Sequence, residues 1–110
     1  MSDEPTRRGR IAGIDFGTRR IGIALTDPGG TIASPHENYT RRTPEADAER
    51  MRQLVQQEEI VRFVVGLPLH MSGDESEKSR QARRFGKWLA ETTGVSVDFF
   101  DERFTTREAE

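Results

Sequence analysis

The 110-residue sequence contains no cysteine, which excludes disulfide bonds and thiolate metal sites. No apolar run approaches the roughly 20 residues that a membrane-spanning helix needs. The residues before Arg10 are polar and lack the apolar segment of a signal peptide. These absences predict a soluble protein of the reducing cytoplasm with no membrane partner.

Lysine is scarce: it occurs only at positions 78 and 87, so nearly all of the 17 positive charges are arginine. The formal net charge of −2 argues against a strongly basic nucleic-acid-binding protein. Several arginines stand in adjacent pairs, and a guanidinium group suits bidentate contacts with phosphate. A solvated, arginine-rich surface explains most of these pairs. Only Arg19, Arg20 and Arg103 lie next to a candidate site in the sequence.

The length predicts one domain with a modest core, too short for two lobes around a cleft. We expect a flexible tail over residues 1–9 and a single domain over residues 10–110.

Hydrophobic patterning predicts an α/β domain with the element order β-β-β-α-β-α-β. The predicted strands cover residues 11–15, 21–26, 31–34, 61–65 and 95–100, with an extension of the third toward residue 39 that Pro35 makes less favourable. Thr43 and Pro44 open the first helix, and Gly94 ends the second. An antiparallel meander followed by β-α units requires a mixed sheet.

Asp15 follows the first apolar strand and precedes the turn residues Gly17 and Thr18. A carboxylate at the end of a strand is held by rigid backbone and faces solvent, where it can bind a metal ion or contact a phosphate. Asp101 and Glu102 form a second acidic strand end. Alternatively, Asp15 only caps its turn through the amides of Gly17 or Thr18.

Three ordered motifs resemble those of the YqgF family, whose members are candidate pre-16S ribosomal RNA nucleases and are also described as Holliday-junction resolvase-like. The motifs are Ile-Asp-Phe-Gly-Thr-Arg-Arg-Ile-Gly-Ile-Ala at 14–24, Val-Gly-Leu-Pro-Leu at 65–69 with Gly73 after it, and Asp-Glu-Arg-Phe-Thr-Thr at 101–106. The resemblance runs from about Arg10 to the last residue.

This resemblance implies a ribonuclease H-like fold, with a mixed five-stranded sheet in the order 3-2-1-4-5 and helices on its faces. It implies phosphodiester hydrolysis with Mg²⁺ or Mn²⁺. The implied partner is a nucleic acid, either pre-16S rRNA or branched DNA. Asp15 matches the family's first carboxylate and Glu102 its acid on the fifth strand.

Two departures from the family concern the chain's end and one loop. The family also has an Asp on its C-terminal helix. Residues 105–108 match a capping box, which predicts a helix, yet the chain ends at Glu110. We therefore expect a chain truncated before the last helix, with weak or no nuclease activity and apolar surface exposed near Phe99 or Phe100. Where family members usually have Asn-Met-Asp-Gly, residues 70–73 read His-Met-Ser-Gly.

For Glu102 to reach Asp15, its side chain must lean across the strand that ends near Gly66, where a missing side chain leaves room. The fifth and first strands are two positions apart, roughly 10 Å. Asp101 is the alternative ligand, because adjacent strand residues face opposite sides of a sheet. A surface ion pair between Glu102 and Arg103 or Arg19 is the structural alternative.

The remaining candidates would contact phosphate or move protons. Thr18, Arg19, Arg20 and Arg103 are candidate phosphate-binding residues, although a turn role for Thr18 is equally simple. His70 is a candidate proton shuttle beside the metal, and a solvated loop histidine is the alternative.

Two other functions are consistent with the same residues. Asp15-Phe16-Gly17-Thr18 also resembles the phosphate loop of actin-like and sugar-kinase-like proteins. Those proteins close two lobes over ATP, and this length supplies one. A non-catalytic module that binds ribosomal RNA or an assembly factor is the second alternative.

Overall fold

A computed structural model describes residues 9–27, 33–68 and 76–101. These residues form five strands and two helices. In chain order they are β1 (Arg10–Phe16), β2 (Arg20–Thr26), β3 (Ala33–Thr40), α1 (Pro44–Glu58), β4 (Ile60–Leu67), α2 (Glu77–Thr93) and β5 (Ser96–Asp101). The element order is the one predicted from the hydrophobic pattern.

The strands form one mixed sheet in the order β3-β2-β1-β4-β5. β2 pairs antiparallel with both β1 and β3, whereas β4 pairs parallel with β1 and β5. The ribonuclease H-like topology implied by the sequence resemblance is therefore confirmed.

Alternation along the strands directs every second side chain into one core. In β1, Ala12, Ile14 and Phe16 are buried, and Ile23 of β2 and Val65 of β4 extend the same layer. Both helices cover this face of the sheet. Their contributions to the single core are Met51 and Leu54 from α1, and Ala82, Phe85 and Leu89 from α2. No helix of the described residues covers the opposite face.

The helix ends follow the capping signals in the sequence. The Thr43 hydroxyl accepts a hydrogen bond from the Ala46 amide at 3.1 Å, and Pro44 is the first helical residue of α1. Ser76 caps α2 through the Ser79 amide at 3.1 Å. Gly94 ends α2 with a φ of 77°, a left-handed conformation that favours glycine.

β3 runs through Pro35 to Thr40, whereas the sequence pattern predicted a strand weakened at that proline. The reason is a bulge: Ile23 pairs with Glu37 and Ala24 with Pro35, which leaves His36 as the extra residue. β3 is also an edge strand, where proline's missing N–H costs no hydrogen bond within the sheet.

None of the helices within residues 9–27, 33–68 and 76–101 is long and apolar enough to cross a membrane. The proposed tail lies almost entirely outside the described residues, as does the capping box at residues 105–108.

Candidate functional site

Asp15 lies one residue before the end of β1, between the buried side chains of Ile14 and Phe16. Because side chains alternate along a strand, its carboxylate projects from the face of the sheet opposite the helices. Asp15 is exposed there. The sequence prediction of a solvent-facing carboxylate at a strand end is borne out by this placement.

Glycines flank Asp15 on both neighbouring strands. Asp15 is in register with Gly22 of β2, and the pairing of Ile14 with Val65 sets Gly66 of β4 on its other side. A Cβ atom at Gly22 would lie 3.4 Å from the Cβ atom of Asp15. The carboxylate is therefore flanked by backbone rather than by side chains, which leaves space for a hydrated ion or a phosphate beside it.

This space continues as an open trough of about 960 Å³ along the uncovered face of the sheet. Small residues form much of its floor: Gly13, Gly22, Ala24 and Gly66. β3 lines one side, and Phe100 of β5 lies on the other. The trough is wide and shallow, a shape that suits an extended polymer better than an enclosed small molecule.

Gly66 lies between Asp15 and the fifth strand, as the sequence predicted. It pairs with Phe100, so the row across the sheet reads Asp15, Gly66, Phe100. The next residue, Asp101, pairs with Leu67, whose side chain is buried in the core. Asp101 therefore faces the helix side, away from Asp15. This placement disfavours the alternative in which Asp101 replaces Glu102 as a ligand.

The turn after Asp15 is held in place by Arg41. Its guanidinium Nη1 donates to the carbonyls of Gly17 at 3.3 Å and Thr18 at 3.2 Å. The Arg41 amide also donates to the Arg19 carbonyl at 2.9 Å. These bonds occupy the carbonyls of the turn and leave the side chains of Thr18, Arg19 and Arg20 exposed. All three follow Asp15 closely in the sequence, in the turn between β1 and β2 and at the start of β2.

Arg41 is itself anchored by a buried carboxylate that the sequence analysis missed. Asp47 is only 4% exposed. One of its oxygens accepts hydrogen bonds from the Tyr39 hydroxyl at 2.7 Å and the Arg42 amide at 2.9 Å. The other lies 3.8 Å from Arg41 Nε. The signal available in the sequence was the pair Arg41-Arg42, which stands six and five residues before an acid in the first turn of α1.

The environment of Tyr39 shifts its acidity. Burial raises the pKa of Tyr39 above its ordinary value of 10.0, and the hydrogen bond to Asp47 raises it further. Both effects favour the neutral phenol, because ionisation would place a second negative charge beside a buried carboxylate. The contact therefore works as a neutral donor to a charged acceptor.

Three predicted site residues, Glu102, Arg103 and His70, lie outside the described residues. Within the described parts of the chain, no three acidic or histidine side chains are close enough to form a complete metal site. Asp15 nevertheless fits Mg²⁺ or Mn²⁺: it is an exposed oxygen donor with open space around it, and magnesium takes only one or two protein carboxylates besides water and phosphate oxygens.

Comparison with known proteins gives consistent matches. The RuvX family, described as Holliday junction resolvases, matches residues 9–110. A relative from Rhodopirellula baltica is 51% identical over 98 residues, which are 89% of this chain and 57% of that protein. One from Koribacter versatilis is 41% identical over 109 residues, 99% of this chain and 71% of that protein. Both relatives are named as candidate pre-16S rRNA nucleases.

Two solved structures of Thermus thermophilus RuvC share the fold. One superimposes with a TM-score of 0.55 at 17% identity, over 84% of this chain and 63% of that one. The other, a complex with a Holliday junction substrate, gives 0.56 at 13% identity, over 84% and 64%. At these identities the likeness concerns the fold.

Proposed function

Because this chain belongs to the RuvX family, as its resemblance to YqgF proteins predicted, we propose that it is a phosphodiester hydrolase acting on nucleic acid. The observation that carries the proposal is the placement of Asp15, exposed and flanked by Gly22 and Gly66 above an open trough. The chain spans 57% of the length of the Rhodopirellula relative. The activity for which the whole relative is named is therefore carried over to this chain only as a proposal.

Asp15 is the residue that would hold Mg²⁺ or Mn²⁺, with Glu102 as the proposed second ligand. When bound, the ion would polarise the scissile phosphate and lower the pKa of an attacking water. Asp15 contributes a negative oxygen on a strand whose backbone is paired on both sides, which fixes the direction of the carboxylate. The glycines beside it add no side chain to the space where a phosphate would lie.

The proposed substrate is precursor 16S ribosomal RNA, in the cytoplasm. This follows the names of the curated relatives, and the chemistry of the turn supports a phosphate-rich partner. Arg19, Arg20 and the Thr18 hydroxyl would contact the backbone next to the scissile bond, and Arg103 is proposed for the same role. Such contacts position a strand without reading its sequence.

Branched DNA is the second candidate, favoured by the description of the RuvX family as Holliday junction resolvases. A direct competition separates the two. An RNA spanning the 5′ end of 16S rRNA and a four-way DNA junction of matched length would be incubated with the protein and Mn²⁺. Preferential cleavage of the RNA would support precursor 16S rRNA as the substrate. Preferential cleavage of the junction would favour branched DNA instead.

Asp15→Asn tests the site itself. We expect whatever metal-dependent cleavage the chain shows to fall below detection, because a neutral amide cannot replace a charged ligand. The melting temperature should change little, since the side chain is exposed. Asp27→Asn is the matched control, because it removes the same charge from an exposed residue just beyond the far end of β2. Wild-type cleavage by Asp15→Asn would contradict the assignment.

A further inference from the structure

A second groove lies on the helix side of the sheet, between the start of α1 and the middle of α2. It encloses about 340 Å³. Its walls combine three aromatic rings with two guanidinium groups, an amide and a carboxylate. They are Phe16, Phe85, Trp88, Arg41, Arg84, Gln81 and Asp47, with Pro44 at the edge. We call this the aromatic groove.

The three rings of the aromatic groove contact one another in a row, tilted by 32° and 33° between neighbours. Phe16 and Phe85 are 4.8 Å apart between ring centroids, and Phe85 and Trp88 are 5.4 Å apart. The Arg41 guanidinium lies 5.0 Å from the Phe16 ring centroid and closes that end. Phe16 and Phe85 are buried, whereas Trp88 is partly exposed. The indole of Trp88 is therefore the ring that a ligand in the groove would contact.

Arg84 supplies an exposed cation at the rim. It pairs with Glu77 at 3.8 Å, but both side chains are mostly exposed, at 67% and 63%. An exposed pair at that distance contributes little and exchanges readily. Glu77 also has a shorter partner in Arg80 at 2.9 Å. A phosphate or a base could therefore recruit Arg84 at low cost.

The aromatic groove opens toward the turn beside Asp15. An adjoining depression shares Phe16 and Gln81 with it. That depression is also lined by Gly17, Thr18, Arg19, Arg20, Glu77 and Lys78. Arg19, Arg20 and Lys78 are exposed, so cationic side chains extend from the turn that follows Asp15 in the sequence to the aromatic groove.

We infer that the aromatic groove binds one unpaired base of a single-stranded nucleic acid that flanks the cleavage point, with the adjoining phosphates on Arg19, Arg20 and Lys78. Base stacking on an aromatic ring, reinforced by a guanidinium, is the common means of holding single strands. A base within a duplex is stacked on its neighbours and has no free face to offer. The occupant is therefore a single strand rather than a double helix.

The inference takes its substrate class, nucleic acid, from the proposed function. Its test does not depend on cleavage, because binding of the strand is measured without a metal ion. Trp88 is the only tryptophan of the chain, so its fluorescence reports on the groove alone. The probe is an oligouridylate of about eight nucleotides, titrated into the full chain in EDTA. We expect saturable quenching. A duplex RNA of equal length should quench far less.

Two variants of α2 distinguish binding in the aromatic groove from nonspecific attraction between the strand and surface cations. Arg84→Ala removes a groove cation, and Lys87→Ala removes an exposed cation of the same helix that does not line the groove. The anisotropy of a fluorescein-labelled oligouridylate should show about a fivefold or greater loss of affinity for Arg84→Ala and less than a twofold loss for Lys87→Ala. Trp88→Leu should lose about as much as Arg84→Ala.

Any one of several results would overturn the inference: binding without tryptophan quenching, equal losses of affinity for the Arg84 and Lys87 variants, or tighter binding of the duplex. Uridine monophosphate binding as tightly as the oligomer would also overturn it, in favour of a mononucleotide pocket. If the wild-type chain binds the oligomer in the groove but cleaves no RNA, that result would count only against the proposed hydrolase. If it cleaves RNA but does not bind the oligomer in the groove, that result would count only against the groove.

Discussion

Gly22 and Asp15 face each other across the antiparallel pair of β1 and β2, and a Cβ atom at Gly22 would lie 3.4 Å from that of Asp15. This spacing is an ordinary van der Waals contact, but any atom beyond Cβ at position 22 would enter the space around the carboxylate. Gly13, also on the open face, has nothing within 4 Å of the corresponding point. Gly22 and Gly13 therefore make a matched pair for substitution, because only a side chain at position 22 would contact Asp15.

Gly22→Val should weaken Mn²⁺ binding by about tenfold or more, because its methyl groups crowd the carboxylate and its waters. Gly13→Val should leave Mn²⁺ affinity within about twofold. Both substitutions replace glycine with a residue that favours strands, so neither should lower the melting temperature greatly. Calorimetric titration with Mn²⁺ measures the difference. Equal affinities for the two variants would show that the space beside Asp15 is not used by the ion.

The contact between Tyr39 and Asp47 predicts a loss of stability in alkali. The folded-state pKa of Tyr39 lies above its ordinary value of 10.0. As the pH rises, the unfolded chain therefore releases the phenol proton before the folded chain does. The contribution of the Tyr39–Asp47 contact to the free energy of unfolding is complete below pH 10 and is lost as the pH rises through the folded-state pKa. Urea unfolding between pH 8 and pH 11 should show the decline.

Tyr39→Phe is the control for this pH dependence, since Tyr39 is the only tyrosine of the chain. The variant should be less stable near neutral pH by about 1 kcal/mol, because Asp47 loses a hydrogen bond. Its stability should fall less steeply above pH 10. Parallel curves for the two proteins would contradict the role given to this contact.

Gly86 and Phe99 should be energetically coupled. A Cβ atom at Gly86 would lie 2.6 Å from Cζ of Phe99, closer than such atoms approach in proteins. Gly86→Ala alone should therefore fail to give the gain of about 1 kcal/mol that alanine offers inside a helix. With Phe99→Ala already present, the same substitution should give that gain. Chemical denaturation of the four proteins measures the coupling, and additive effects would refute it.

Phe100 predicts concentration-dependent self-association. It is 46% exposed on the open face of the sheet, beside the glycine floor of the trough. Sedimentation velocity over a hundredfold range of concentration should show association that Phe100→Ser removes. Val61→Ser is the control, because Val61 is 50% exposed but does not line the trough. A monomer at every concentration would contradict the prediction.

Local signals were sufficient to predict most of the fold. The apolar run before Asp15, the Thr43-Pro44 helix start and the stop at Gly94 each act through neighbouring residues, and each lies where it was predicted. The strand order came from the resemblance to a family, since patterning alone does not decide which strands become neighbours. The bulge at His36 was missed because it depends on how β3 pairs with β2.

The candidate site was predicted less completely than the fold. Asp15 was identified because a strand end and a turn are local features. Asp47 was missed because its burial depends on Tyr39 and Arg41 folding back over α1, a contact with no periodic signal. The roles of Glu102, Arg103 and His70 remain predictions, as does the tail at residues 1–9.

Pro35 and the bulge at His36 have a consequence for how the sheet meets other chains. β3 is an outer strand, and such strands attract foreign strands through their unused N–H and C=O groups. The proline removes one donor from that row, and the bulge twists the remaining groups out of line. This side of the molecule is therefore a poor template for fibril growth, even at high protein concentrations.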